Sequence, residues 1–320
     1  MPAFTGARLD RASKLRADPD LMRSLLAAPE ARAVFCRGDS VLVADGGARL
    51  WRGPVPARAA AAAEAGPTLP LLGLEDGAPL FGVDLDELPE APDMEKLGRI
   101  VTLREAGLAL PPAEGGLAAY LIALSGWHRH HRFCANCGTP TAVVEGGLSR
   151  RCPRCGRAHF PRTDPVVIML VEHDGRLLLG RRPVWPAERY SLLAGFVAPG
   201  ETPEDAVVRE VWEESGILAE HPQYVAAQPW PFPASLMLGF SAVSGGGDPR
   251  PADGELEDVR WFGRAQVAAA CRREADWSDE APAPGQLLLP PAVSVARSLI
   301  EWWLTDSTVD GRELTPDRPG

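Results

Sequence analysis

Residues Leu193 to Ile217 read LAGFVAPGETPEDAVVREVWEESGI. Six of these side chains are acidic (Glu201, Glu204, Asp205, Glu210, Glu213, Glu214) and one, Arg209, is basic. Thr202 suits a helix N-cap, Pro203 the first helical position and Asp205 the acid of a capping box, while Gly216 suits the C′ position. The spacing predicts a helix over Pro203–Ser215 of about three and a half turns, with Ala206, Val207 and Val211 facing a sheet. Glu210, Glu213 and Glu214 then fall at i, i+3 and i+4 on one face. Like charges so placed destabilise an isolated helix by roughly 0.2–0.5 kcal/mol per pair, and they sit at the end where the helix dipole disfavours anions. A solvated acidic face would suffice for an ordinary Glu-Glu pair. Carboxylates converging on one point make instead a hard-oxygen site for Mg²⁺ or Mn²⁺, which turns repulsion into coordination. Arg209 can reach back to Glu201 and hold the preceding loop on the helix.

Outward from this stretch, PVVIMLVEHDGRLLLGRR reads as a hairpin around a His-Asp-Gly turn, and SLLAGFVAPG as a strand ending in a turn. YVAAQPWPFPASLMLGFSAV is a strand pair with a proline-rich corner, ELEDVRWFGRAQVAAAC a strand running into a helix, and PPAVSVARSLIEWWLTD a final helix. Mixed strands with flanking helices imply an α+β or α/β/α sandwich. Before residue 90, AVFCRGDSVLVADGGARLWRG, LPLLGL and PLFGVDL suggest strands of a small antiparallel sheet. Ala57 to Pro67 reads as a connector in preference to a short helix. GGLAAYLIALSGWHRHHRF reads as a helix, with Leu117, Tyr120, Leu121, Leu124 and Trp127 at helical spacing.

That helix leads into Cys134, Cys137, Cys152 and Cys155, two Cys-x2-Cys knuckles separated by fourteen residues. Four thiolates can meet tetrahedrally around one Zn²⁺ per chain, and a closed four-sulfur shell staples a fold without catalysing. Cys36 and Cys271 lie outside the pattern and read as buried small apolar residues. His128, His130, His131 and His159 surround the knuckles, with Arg129, Arg132, Arg150, Arg151, Arg154, Arg157 and Arg162. The preferred reading is a solvated face that relieves the anionic zinc–thiolate centre; the other is an anion or nucleic-acid surface.

With 320 residues and 45% apolar composition the chain can bury the cores of two or three domains. Its net charge of −10 argues against a protein devoted to neutralising a phosphate backbone. Apolar runs are too short for a membrane span. The N-terminal stretch lacks an apolar signal core and the C-terminal one a lipidation motif, so a cytoplasmic, reducing setting is expected, where cysteines serve metals.

Gly195, five residues, Glu201, seven residues and then Arg209 to Ile217 resemble the Nudix box with every defined position filled. Gln228-Pro229-Trp230-Pro231-Phe232-Pro233-Ala234-Ser235 resembles the substrate-side signature of the NADH pyrophosphatase (NAD diphosphatase) branch. Read alone, its prolines make a stiff corner that either presents Trp230 and Phe232 or packs them inside. The resemblance implies a Nudix α/β/α sandwich (163–310, with a tail at 311–320), preceded by a zinc ribbon (128–162) and a smaller N-terminal α+β domain (1–127). That N-terminal domain would be a degenerate Nudix-like copy without a box. It implies a homodimer and metal-dependent hydrolysis of NADH or NAD⁺ to AMP and NMNH or NMN.

By the same resemblance Glu210, Glu214 and Glu255, with the Ala194 carbonyl, hold Mg²⁺ or Mn²⁺, and Glu213 supports them. Glu257 and Asp258 compete with Glu255 for its position, and the general base is one of Glu213, Glu214 and Glu255. The Gln228–Ser235 segment and the backbone of Ala296 line the substrate. Phe160 stands where the family often has Tyr and can stack on a base without the phenolic hydrogen bond. Alternatives are removal of an NAD cap from RNA by the same chemistry, with the arginine-rich ribbon holding the RNA, or hydrolysis of ADP-ribose, a diadenosine polyphosphate or FAD. A non-catalytic nucleotide-binding module is disfavoured because every box glutamate is present.

Overall fold

The computed structural model describes residues 2–56, 69–88, 97–252, 254–273, 283 and 285–305. The Ala57–Pro67 connector and the 311–320 tail lie outside the described residues. The chain divides into two compact units, one of Phe4–Thr163 with Trp230–Ala234, the other of Met1–Ala3, Asp164–Pro229 and Ser235–Gly320.

In the first unit, helix α1 (Pro19–Ala27) starts at Asp18, whose side chain accepts from the Asp20 and Leu21 N–H groups. Strands β1 (Arg32–Arg37), β2 (Ser40–Val43), β3 (Gly53–Pro54), β4 (Leu71–Glu75), β5 (Ala78–Asp84) and β6 (Arg99–Thr102) form a sheet in the order β4-β5-β1-β2-β6, with β3 on β1. The strands are where the apolar runs place them, but the sheet is mixed, not antiparallel: Arg32–Cys36 of β1 runs parallel to Leu80–Asp84 of β5. Two hairpins, β1–β2 and β4–β5, are joined side by side, and hairpins joined in that order bring one parallel pair together. Helix α2 (Leu103–Ala109), capped by a reciprocal Thr102–Glu105 box, and helix α3 (Pro112–His130) follow. Leu117, Leu121, Leu124 and Trp127 of α3 are buried as their spacing predicts. Sequence periodicity missed α1 and α2, each of which spans at most nine residues. A small three-stranded sheet, β7 (Ala142–Val144), β8 (Ser149–Arg151) and β9 (Ala158–His159), carries the cysteine knuckles.

The second unit contains β10 (Asp164–His173), β11 (Arg176–Arg181), β12 (Leu193–Phe196), α4 (Pro203–Ser215), β13 (Glu220–Trp230), β14 (Ser235–Val243), β15 (Asp258–Gly263), α5 (Arg264–Cys271) and α6 (Val295–Thr305). Its sheet runs β13-β14-β10-β11-β15 with β12 on β10. This is the order of the first sheet, strand for strand, and β10 runs parallel to β14 as β1 does to β5. Central β10 is an unbroken apolar run because both of its faces are covered. Val167, Met169 and Val171 pack with Ala206, Val207 and Val211 of α4. Ile168 and Leu170 pack on the other side with Val267, Leu299, Ile300 and Trp303 of α5 and α6. The unit is therefore a helix–sheet–helix sandwich. Pro229 sits within β13, which its place at the sheet edge permits.

Candidate active site

Helix α4 is anchored at both ends. Thr202 and Asp205 exchange side-chain-to-backbone hydrogen bonds, and Gly216 closes the helix at φ 68° with its N–H on the Trp212 carbonyl at 2.8 Å. The apolar side of α4 is sealed on the sheet, and Glu210 reaches over β12. Glu214 is 2% exposed. The Glu210 carboxylate lies directly over Gly195 of β12: a Cβ added there would meet its Cδ at 1.9 Å and its oxygens at 2.1 Å. Only glycine leaves that space, and the residue before it is Ala194, half-buried and in register with Ile168 of β10.

Arg209 is the centre of the charge pattern. Its Nε and Nη2 donate to the two oxygens of Glu201 at 2.7 and 2.8 Å, and Nη1 donates to Glu210 and Glu213, each at 2.8 Å. Nη2 also donates to the Phe196 carbonyl at 2.9 Å, and the Ala198 N–H donates to Glu201 at 2.9 Å. The Glu201 clamp was legible in the sequence; the contacts to Glu210 and Glu213 were not. The Arg209 guanidinium holds the Glu201 carboxyl down at about 2. Burial pushes Glu210 above the ordinary carboxylate range, and the charges of Glu213 and Glu255 push it the same way against the pull of Arg209.

The acidic side chains are neighbours, but they do not converge on a point. Among the described residues, the four cysteines alone bring three or more Cys, His, Asp or Glu ligand atoms within 4.8 Å of one another. Arg209 stands between Glu210 and Glu213 and separates charges that would otherwise repel. Glu255 is exposed and pairs with Arg182 at 3.6 Å. Its rivals are engaged elsewhere, Glu257 with Arg181 and Asp258 with Tyr190 and Arg260. The carboxylates of α4 and Glu255 have the hard, anionic oxygen chemistry that suits a divalent cation such as Mg²⁺ or Mn²⁺, although their oxygens are not gathered around one point.

The proline segment divides its work. Gln228 does not offer its amide at the surface: it is fully buried, with Nε2 donating to the carbonyls of Val293 at 2.7 Å and Ala3 at 3.1 Å, and Oε1 accepting from Val295 N–H at 2.7 Å. Val295 opens α6, so Gln228 fixes the start of the helix on which Ala296, 3% exposed, is the second residue. Its role is positioning, because every polar atom of the amide is committed inside the fold. Trp230 and Phe232 meet edge-to-face at 5.0 Å, flanked by buried Phe4. The Arg104 guanidinium of α2 lies 4.3 Å from the Phe232 ring centre and 5.2 Å from that of Trp230. Nothing in the sequence pointed to Arg104. Pro231 is buried, Pro233 follows a cis peptide bond, Ala234 is half-buried, and Ser235 opens β14 in register with Asp164. Phe160 is 65% exposed.

The cysteine site is built as its spacing predicts. The Sγ atoms of Cys134 and Cys155 are 3.6 Å apart and those of Cys137 and Cys152 are 3.5 Å apart. A tetrahedral Zn²⁺ with Zn–S of ~2.3 Å needs sulfurs about 3.8 Å apart, so the four thiolates fit zinc. Each knuckle closes through the same bond, Gly138 N–H to Cys134 O and Gly156 N–H to Cys152 O. His128 is not part of the metal shell. It is buried, with Nε2 on the Gly147 carbonyl at 2.8 Å and Nδ1 facing Arg150 Nη1 at 3.1 Å, while Arg150 also donates to Thr141. Cys36 is buried and Cys271 half-buried.

Comparison with known proteins agrees with this architecture. Residues 30–127 match the NADH pyrophosphatase-like rudimentary NUDIX domain, 129–160 the NADH pyrophosphatase zinc ribbon domain, and 161–282 the NUDIX domain. A NAD-capped RNA hydrolase NudC of Mycobacterium bovis is 39% identical over 313 residues, 95% of each chain. Another protein of that name, from Chromobacterium violaceum, is 45% identical over 192 residues, 60% of this chain and 71% of its own. A solved NUDIX hydrolase of Nitrosomonas europaea, 24% identical, covers 55% of this chain and 92% of that one with a TM-score of 0.43. With the filled box on α4, the four-cysteine ribbon and the box-less copy of the sheet all in place, the chain belongs to the NADH pyrophosphatase family of zinc-ribbon-containing Nudix hydrolases.

Proposed function

We propose that the chain hydrolyses the pyrophosphate of NADH or NAD⁺ to AMP and NMNH or NMN. A water oxygen bonds to one phosphorus, the bridging P–O bond breaks, and the bridging oxygen leaves on the other mononucleotide. The observation that carries the reading is the seat of Glu210 over Gly195, the residue that follows Ala194, within a complete box. Mg²⁺ or Mn²⁺ held by Glu210, Glu214, Glu255 and the Ala194 carbonyl would neutralise the diphosphate oxygens and favour departure of the leaving phosphate. Glu213 and Arg209 orient Glu210, and the proton of the attacking water goes to Glu213, Glu214 or Glu255. Trp230 and Phe232 offer aromatic faces to the nicotinamide nucleotide, Pro229, Pro231, Pro233, Ala234 and Ser235 hold that wall, Phe160 stacks on a base, and Gln228 sets the backbone of Ala296.

A second substrate is included, the NAD cap of an RNA 5′ end. The two relatives named NAD-capped RNA hydrolase and the arginine-rich ribbon favour it. A cytoplasmic homodimer completes the reading and rests on the resemblance.

The test compares kcat/KM on NADH, NAD⁺, ADP-ribose and NAD-capped RNA with each metal, for the wild type and Glu214→Gln. Metal-dependent release of AMP should fall by about a thousandfold in the variant, within the range for a lost acid–base or charge-stabilising group, with zinc content and circular dichroism unchanged. Full activity in Glu214→Gln would remove the mechanism.

A further inference from the structure

Between the end of β13 and the start of β14 the chain turns tightly, with the Phe232 N–H donating to the Trp230 carbonyl at 2.7 Å. Pro231 and Pro233 have no N–H to give to a ladder, so strand pairing does not fix this turn beyond Trp230. Side-chain packing holds its two rings instead. Phe4 meets Trp230 with ring centres 6.0 Å apart at 62°, and Phe232 at 6.4 Å and 67°, both edge-to-face arrangements that aromatic pairs favour. Phe4 is 2% exposed, while Trp230 and Phe232 are half-buried. A ring so enclosed cannot stack on a substrate; it can set the rings that do. Its backbone is also held in an uncommon state. Phe4 has φ 67°, in the left-handed region that a bulky side chain rarely enters. Such a conformation persists where the surroundings over-determine it, and here the segment rests on two glycines of α3. A Cβ on Gly116 would meet the Thr5 carbonyl oxygen and the Ala7 nitrogen at 2.9 Å each, and one on Gly115 would meet the Phe4 nitrogen at 3.5 Å.

We propose that Phe4 is a positioning residue for substrate selection: its ring holds Trp230 and Phe232 in the orientation that receives the nicotinamide nucleotide. The inference rests on the reading of those two rings as the nicotinamide-side wall. With Phe4 in place the rings are ordered before the ligand arrives. Without it they sample other rotamers, and the cost of ordering them falls on binding. The cost falls on the nicotinamide half of the substrate alone, because the contacts of Phe4 are to the wall and not to the carboxylates of α4.

The experiment compares the full-length, metal-loaded wild type with Phe4→Ala and Phe4→Leu. Leucine removes the ring but keeps most of the buried volume, so it preserves the fold where alanine leaves a cavity. Each protein is assayed for NADH hydrolysis and titrated calorimetrically with NMN and, separately, with AMP. The KM for NADH and the Kd for NMN should rise about tenfold in Phe4→Ala and roughly threefold in Phe4→Leu, the scale of ordering two side chains on binding. Both kcat and the Kd for AMP should stay within about twofold of the wild type, the mark of a lost binding contribution and not of lost chemistry. Equal weakening of NMN and AMP in folded Phe4→Leu would assign the ring to the core alone and overturn the proposal, as would wild-type NMN affinity in both variants. A wild type that fails to hydrolyse NADH would refute the hydrolase reading, and NMN affinity would still decide this one: weaker in Phe4→Leu supports it, equal overturns it.

Discussion

Gly195 has a duty that its neighbours set. The Glu210 carboxylate occupies the volume a Cβ would need, at 1.9 Å, so any side chain there displaces the carboxylate proposed to hold the metal. Gly195→Ala is expected to fold, since β12 is an ordinary strand at this point, yet to lose about a hundredfold in kcat because the carboxylate moves by an ångström or more. Steady-state kinetics and Mn²⁺ titration followed by electron paramagnetic resonance check this together; wild-type Mn²⁺ affinity in the variant would contradict it. Arg209 shows the same economy of position. One guanidinium clamps the loop through Glu201 and separates Glu210 from Glu213, which explains how a helix tolerates glutamates at i, i+3 and i+4 near its C-terminal end.

At the level of elements, the end of α3 is tied to the ribbon strand β8 by a buried polar chain. Burial, aided by the charge of Arg150, lowers the His128 pKa to about 4, against the upward pull of its bond to Gly147. The imidazole is therefore neutral in the fold. Between pH 6.5 and about 4 the unfolded chain binds a proton here that the folded chain does not, so stability falls as pH falls through that window and is retained above it. The loss should reach on the order of 3 kcal/mol at its lower end. Urea unfolding at pH 7 and pH 4.5 measures it, and His128→Gln, which cannot titrate, should show a shallower pH dependence than the wild type. An identical slope in the two proteins would assign the acid lability to other groups. The helix α4 itself needed no tertiary help to be read: Thr202, Pro203, Asp205 and Gly216 mark its ends in the sequence and mark them in the structure.

Across the whole molecule, two sheets share one strand order, and the box lies in the second. In the second sheet the box helix is inserted between β12 and β13; the corresponding stretch of the first, between β3 and β4, contains no Arg-Glu-x-x-Glu-Glu pattern. The ribbon has no comparable core, since its strands are two or three residues long, and small modules of this kind draw their stability from the metal. Chelation should release one zinc per chain and leave the β7–β9 amides unprotected in hydrogen exchange, while β10, buried on both faces, keeps its protection. Slow exchange in β7–β9 after zinc loss would show that the ribbon holds by packing alone.

Local spacing alone carries the caps and glutamates of α4, the two cysteine knuckles, the Asp-Gly hairpin of β10 and β11, and the family these compose. Those patterns are short-range, so adjacent residues carry them in full. Which strands pair was settled by the folded chain, and it made the first sheet mixed instead of antiparallel. It also decided that Gln228 is a buried bracket for α6, that Arg104 lies over Trp230 and Phe232, and that Glu255 pairs with Arg182 while Glu257 pairs with Arg181 and Asp258 with Tyr190 and Arg260. Each of these depends on contacts between residues far apart in the chain, and burial and long-range pairing leave no period or spacing in the sequence from which to read them.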